Sequence, residues 1–273
     1  MDWCRQGLLR AAVLALTTLF CQVATAADEV LIAAVHFPPY VIKPEEKLNS
    51  GLLGELVAAL NQVQGQHRFA LRATSLPRRF DDFRQGRFHI AIFENPDWNW
   101  QGIAGVRVDM GLEDAEVLIA RAEQGRDQHY FDKLMGKRMA LFNGYHYGFA
   151  GFNNDPKWLE QHFNAVLTYS HESNLKLVLR GRADIAPITR SWLGARLREQ
   201  PQLKAQLLIS DWEDQRYRHY AILHPQAPIS AEAFRQALQL LRENGELERI
   251  FAPYGIVVRP HAAGSSAAVD AAN

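Results

Sequence analysis

The stretch RQGRFHIA at residues 84–91 returns as LRGRADIA at residues 179–186, and the segments around the two copies also correspond. Each copy ends a helical segment at Gly86 or Gly181 and leads into an apolar run typical of a buried strand. A strand and an aromatic loop precede each copy, at residues 31–35 with HFPPY (36–40) and at residues 138–142 with NGYHY (143–147). Strands that alternate with helices predict parallel sheets covered by helices. The sequence therefore predicts an α/β fold of two lobes, each a mostly parallel sheet covered by helices.

Further helices and strands complete the two predicted lobes. Helical spacing and turn signals predict helices at residues 52–60, 79–85, 155–164, 173–180, 230–244 and 246–251. Further strands are predicted at residues 69–72, 88–93 and 183–188. Asn49 or Ser50 is suited to cap the first helix, and Asp155 followed by proline opens the third.

Two separated strands, at residues 116–120 and 220–223, suit a double crossover between the lobes. Lobe 1 then comprises residues 27–116 and 219–258, and lobe 2 comprises residues 117–218. The predicted hinges lie at residues 114–117 and 218–220. The Ala/Ser/Gly-rich residues 259–273 are predicted to be a disordered tail.

Residues 1–26 have the features of a cleavable signal peptide. Arg5 and Arg10 precede an apolar run that is too short to span a bilayer, and ATA at residues 24–26 predicts cleavage after Ala26. The two cysteines, Cys4 and Cys21, lie inside this segment, so the mature chain would have no disulfide and no thiolate ligand. These features predict a periplasmic protein.

The charge balance argues against a nucleic-acid partner. The chain carries 30 basic and 30 acidic residues, so it lacks the basic excess typical of nucleic-acid binding. We expect a monomer that binds a small-molecule solute and meets a membrane permease or receptor.

Five motifs in order resemble the family 3 periplasmic solute-binding proteins, which serve ABC importers of polar amino acids. The motifs are FPPY (37–40), the glycine-led helix at 51–60, LMGKRMAL (134–141), GRAD (181–184), and LRENGELERI (241–250) followed by YG (254–255). The resemblance covers residues 30–258. It implies the two-lobed type II periplasmic-binding-protein fold, which closes on its ligand.

Two charge clamps of that family are missing at the matching positions. Its amino-acid binders carry T-x-x-R after the fourth strand, and this arginine holds the ligand carboxylate; here residues 93–100 read FENPDWNW. The family also places an aspartate five residues after the aspartate of its G-R-x-D turn, where it holds the ligand ammonium; here Thr189 stands. A standard amino acid bound in the standard way is therefore not expected.

The candidate ligand-binding residues lie where strands end, since open α/β sheets bind ligands there. They are Phe37, Tyr40, Arg78, Glu94, Asn95, Trp98, Trp100, Gly144, Tyr145, Tyr147, Thr189 and Arg190. Aromatic rings with one glutamate could hold a cation or a flat ring. Backbone N–H groups near Gly144 could hold an anion if a helix begins there. The competing interpretation is that the tryptophans cover a hydrophobic edge and the arginines are solvated.

The leading hypothesis is a periplasmic solute-binding protein that captures a small polar or amino-acid-like solute for an ABC importer. The sequence contains no recognised catalytic motif and predicts no cofactor and no metal. Two alternatives remain open. One is a periplasmic enzyme on the same fold, similar to cyclohexadienyl dehydratases. The other is a sensory ligand-binding module for a membrane receptor.

Overall fold

The structure is a computed structural model that describes residues 28–45 and 51–260. The strands are β1 (Asp28–Val35), β2 (His67–Thr74), β3 (Ile90–Glu94), β4 (Val106–Arg121), β5 (Ala140–Phe142), β6 (Val166–Thr168), β7 (Ala186–Thr189), β8 (Leu207–Leu223) and β9 (Val257–Val258). The α-helices are α1 (Leu52–Val63), α2 (Arg79–Arg84), α3 (Pro156–Phe163), α4 (His171–Leu179), α5 (Arg190–Glu199), α6 (Ala231–Glu243) and α7 (Glu246–Phe251). None of these helices has both the length and the apolar character needed to cross a membrane.

Some predictions fall outside these residues. The signal peptide, the candidate caps Asn49 and Ser50, and residues 261–273 of the predicted tail are among them. Gly51 stands at the N-terminus of α1, with a positive φ of 100°. Arg259, at the start of the predicted tail, donates hydrogen bonds to Gly111 O at 2.8 Å and to Asp109 Oδ1 at 2.7 Å.

A long antiparallel ribbon of β4 and β8 runs through the molecule, and strands from both parts of the chain pair with it. On one side the order is β2-β1-β3-β8, with β1 parallel to β2 and β3. On the other, β7 pairs antiparallel with β4, while β5 and β6 form a parallel pair joined to β7 by a bridge between Met139 and Ile185. The two-lobed α/β prediction is confirmed, and the main sheet is mixed because the ribbon runs antiparallel to its neighbours.

The predicted crossover strands are longer than expected. β4 has 16 residues and β8 has 17, and their register shifts between Asp109 and Leu112 and again between Glu116 and Ile119. Register shifts of this kind bend a ribbon and increase its twist. The predicted boundaries at residues 116–117 and 218–219 lie inside these two strands.

Separate apolar clusters hold the two lobes, and an aromatic cluster joins them. Helices α1, α6 and α7 pack on β1 and β3 in the first lobe, and α4 and α5 pack on β7 in the second. The third cluster contains Phe83, Trp98 and Trp100 together with Leu141 and Tyr145 from the second half of the chain. Burial of these large rings stabilises the contact between the lobes.

All six predicted helices are present, and side-chain caps explain where two of them begin. The Asp155 carboxylate accepts from Trp158 N at 2.7 Å, and the Ser230 hydroxyl accepts from Ala233 N at 3.1 Å. Three elements were not predicted. Strands β6 and β9 have only three and two residues, and α5 lacks a clear apolar stripe because it buries only Ser191 and Leu193.

Candidate functional site

A cavity of about 60 Å³ lies where both lobes meet the β4–β8 ribbon. The carboxyl ends of β1 and β3, the start of α2, the loop after β5 and the middle of β8 all contribute to its wall. Its lining residues are Ala33, Val35, Phe37, Tyr40, Leu76, Arg79, Ile92, Phe93, Glu94, Trp98, Tyr145, His146, Tyr217 and His219. Ligands of open α/β sheets bind at this end of the strands.

The loop after β1 places two aromatic side chains in the cavity. Phe37 and Val41 exchange backbone hydrogen bonds of 2.9 and 3.1 Å, which close a tight loop. The Phe37 ring stacks on Tyr145 from the other lobe, with centroids 5.2 Å apart and planes 6° apart. The aromatic loops of the two halves therefore meet directly.

Tyr40 connects this loop to the ribbon through a buried polar chain. Its hydroxyl donates to Asp114 Oδ2 at 2.6 Å and lies 2.8 Å from His219 Nε2. Burial raises the pKa of Asp114 and lowers the pKa of His219 to about 4. His219 is therefore neutral at pH 7, and ionisation of Asp114 is opposed by its surroundings.

Glu116 is the centre of a second buried network. It is fully buried, and it accepts hydrogen bonds from the Tyr145 hydroxyl and from Gln215 Nε2. Gln215 also accepts from Trp98 Nε1 at 3.2 Å. Burial raises the pKa of Glu116 well above its ordinary value, and the neighbouring Asp214 and Asp114 raise it further.

A buried ion pair forms another part of the wall. Arg79 Nε lies 2.8 Å from Glu94 Oε1, although its N–H is not aligned for a hydrogen bond, and Trp100 Nε1 donates to Glu94 Oε2 at 2.8 Å. The Arg79 and Glu94 side chains are 2% and 9% exposed. Both Glu94 oxygens thus have polar neighbours, and the charge of Arg79 is compensated locally.

His146 brings an unsatisfied polar atom to the cavity. The residue is 1% exposed, and its Nε2 has no hydrogen-bond partner among the residues that the structure describes. Burial lowers the His146 pKa to about 3, with a further contribution from the positive charge of Arg79. A neutral imidazole in this position can offer one hydrogen bond to a bound molecule.

Five of the twelve candidate residues line the cavity: Phe37, Tyr40, Glu94, Trp98 and Tyr145. Trp100 and Tyr147 are buried outside the lining; Trp100 donates to Glu94, and the Tyr147 hydroxyl accepts from Phe142 N at 2.8 Å.

The other five lie elsewhere, and their part in binding stays a prediction. Arg78 is exposed, whereas the next residue, Arg79, reaches the cavity. Asn95 donates to Arg218 O at 3.3 Å, and Arg190 pairs with Glu213. Thr189 is buried, and its hydroxyl oxygen lies 3.4 Å from His171 Nε2. Gly144 lines a neighbouring polar groove.

The proposed anion site near Gly144 has a different arrangement in the structure. A short 3₁₀ helix, Gly148–Ala150, begins there, and Asp214 already accepts from Gly148 N and Phe149 N at 2.8 Å each. A carboxylate of the chain itself therefore occupies this group of backbone donors. Within residues 28–45 and 51–260, no group of three or more His, Asp or Glu side chains is arranged to hold a metal ion.

Sequence reasoning missed Asp114, Glu116, Tyr217 and His219. The sequence signal that could have found them is their spacing, since residues two apart in a strand lie on the same face of the sheet. Asp114 and Glu116 follow this spacing on β4, and Tyr217 and His219 follow it on β8. Buried acids inside an otherwise apolar strand are uncommon unless they have partners.

Comparisons with known proteins identify the fold. No protein-family model and no curated protein matches the sequence. Among similar structures is the ligand-binding core of GluR0 from Nostoc punctiforme in complex with L-glutamate, at a TM-score of 0.63 and 18% identity, covering 82% of this chain and 98% of that one.

Two further similar structures come from different functional settings. A putative binding component of an ABC transporter from Wolinella succinogenes, complexed with lysine, has a TM-score of 0.64 and 14% identity, covering 84% of this chain and 96% of that one. A histidine kinase sensor domain with similarity to periplasmic binding proteins has a TM-score of 0.63 and 18% identity, and the match covers 85% of this chain and 98% of that one. At these identities the comparisons show the fold, which is the periplasmic-binding-protein fold.

Proposed function

We propose that the protein is a periplasmic solute-binding protein that captures a small polar solute between its lobes and delivers it to a membrane ABC importer. The observation that carries this proposal is the cavity between the lobes. Its wall combines the aromatic loops of both halves with the ribbon that connects them. A solute held there would contact both lobes at once and so favour their closure.

The expected absence of the two family clamps guides the choice of ligand that we propose. The position of the ammonium-binding aspartate is Thr189, which is buried beside His171 and does not line the cavity. The arginine that does line it, Arg79, comes from α2 and is already paired with Glu94. A solute that requires an unpaired arginine and an unpaired aspartate is therefore poorly matched to this cavity.

Native mass spectrometry of mature protein purified gently from periplasm tests the proposal. We expect a co-purified small molecule that is released intact on denaturation and that, when added back, compacts the protein in solution X-ray scattering. Protein that neither carries nor binds any member of a broad solute panel would contradict a binding function. Consumption of the released molecule on incubation with the protein would instead indicate an enzyme.

A sensory role is the second candidate, and the similarity to a histidine kinase sensor domain favours it. The same cavity would then report its occupancy to a membrane receptor. Deleting the gene separates the two roles. Loss of solute uptake supports transport, whereas intact uptake with a lost transcriptional response to the solute supports sensing.

A further inference from the structure

Six aromatic side chains form a closed cycle of ring contacts, and all six line the cavity. The cycle runs through Phe37, Tyr145, Trp98, Tyr217, His219 and Tyr40 and returns to Phe37. Successive ring centroids lie 5.2, 5.6, 4.9, 5.2, 5.0 and 6.4 Å apart. We call these six residues the aromatic cage.

The charges around the cage leave it without an unpaired positive group that would repel a positive guest. Arg79 is balanced by Glu94, and the buried His146 and His219 are neutral at pH 7. Behind the cage rings lie two acids, Asp114 bonded to the Tyr40 hydroxyl and Glu116 bonded to the Tyr145 hydroxyl. A cation inside the cage would meet the ring faces first, and this interaction is attractive. Its positive charge would also favour the ionised form of the two carboxyl groups behind the rings.

The size of the cavity limits the guest. A volume of about 60 Å³ has room for about four water molecules at roughly 15 Å³ each. A trimethylammonium group contains about four non-hydrogen atoms, and its low demand for hydrogen bonds suits walls made of rings. Recognition by surrounding aromatic rings is the known physical solution for quaternary ammonium groups.

We propose that the solute carries a methylated ammonium group and that the aromatic cage holds this group by cation–π contact. This inference rests on the proposed binding function and adds the chemistry of the ligand. The free His146 Nε2 marks a place where a second polar group of the solute can form a hydrogen bond.

Calorimetric titration of the mature protein tests the cage. The probes are choline, glycine betaine, and the neutral isostere of choline in which carbon replaces the quaternary nitrogen. We expect choline or glycine betaine, each of which carries a quaternary ammonium group, to bind at least about 10-fold more tightly than the isostere. The positive charge on the ammonium group is what distinguishes choline from the isostere. Tighter binding of glycine betaine than of choline would place a carboxylate near Arg79 and His146.

Variants at Tyr145 separate the ring from its hydroxyl group. Tyr145→Leu removes the ring and is expected to weaken cation binding about 10-fold or more, whereas Tyr145→Phe keeps the ring and should weaken it less. Tyr169→Leu is the matched control, because Tyr169 is 71% exposed and lies outside the cavity. Thermal unfolding of each variant verifies folding, and the comparison of choline with its isostere requires no variant.

The outcomes distinguish the two proposals. Equal affinity for choline and its neutral isostere would overturn the cation cage, as would the absence of ammonium binding in a protein that binds another solute. The second result would leave the binding function in place. Absence of binding to the ammonium probes and to every panel solute would overturn both.

Discussion

Replacing Arg79 with leucine should destabilise the protein strongly, because it leaves Glu94 buried without its ionic partner. At 2.8 Å the direct attraction is about 6 kcal/mol for an effective dielectric constant of 20. Breaking a buried ion pair from one side typically costs about 3–5 kcal/mol. With a urea m-value of roughly 2–3 kcal/mol/M, Arg79→Leu should lower the unfolding midpoint by about 1–2.5 M.

The double variant Arg79→Leu/Glu94→Gln provides the decisive comparison. Glutamine removes the unpaired charge and keeps an oxygen for Trp100 Nε1, so the double variant should be more stable than Arg79→Leu alone. The matched control is Arg84→Leu in the same helix, which removes an exposed pair with Asp81 at 2.9 Å and should cost less than about 1 kcal/mol. A double variant no more stable than Arg79→Leu would refute the reasoning.

Three further predictions concern stability in urea titrations. Burial lowers the pKa of His171 from 6.5 to about 3, so the free energy of unfolding decreases as the pH falls below 6.5. Between pH 7 and pH 5 the contribution of this group to the free energy of unfolding of the wild type should fall by about 2 kcal/mol. His171→Gln should lack this contribution. Gly51→Ala should lower the free energy of unfolding by about 1–3 kcal/mol, because φ is +100° and a Cβ would lie 2.9 Å from Pro39 O. Its control, Gly65→Ala, places the Cβ in open space and should lower the free energy of unfolding by less than about 1 kcal/mol. Asp155→Ala should cost about 1 kcal/mol through loss of the α3 cap.

Local sequence signals predicted the order of helices and strands well. Gly86 and Gly181 both have φ of 65° and follow helices, as the repeated stretch indicated. Asp155 and Ser230 cap helices through their own side chains, which a short stretch of sequence suffices to identify. The repeat itself indicated two lobes, and the resemblance to a known family added the expectation that they close on a ligand.

The composition of the site was harder to predict, because it depends on contacts between distant positions. Tyr40 meets Asp114, 74 positions away, and His219, 179 positions away. Both partners lie on the long ribbon, whose register shifts decide which strand positions face the cavity. The choice between Arg78 and Arg79 depends on a single step of the chain at the start of a short helix, and no periodic pattern identifies the inward side.

Tyr145 is the cage residue whose position would depend most on the proposed lobe closure. It comes from the loop after β5, and it contacts Phe37 and Trp98, which follow strands of the other lobe. On the proposed closing motion, opening the lobes would separate these rings, while Tyr217 and His219 would stay together on β8. A solute that needs the complete cage would therefore bind the closed arrangement more tightly than the open one, and this difference in affinity would be the free energy that drives closure.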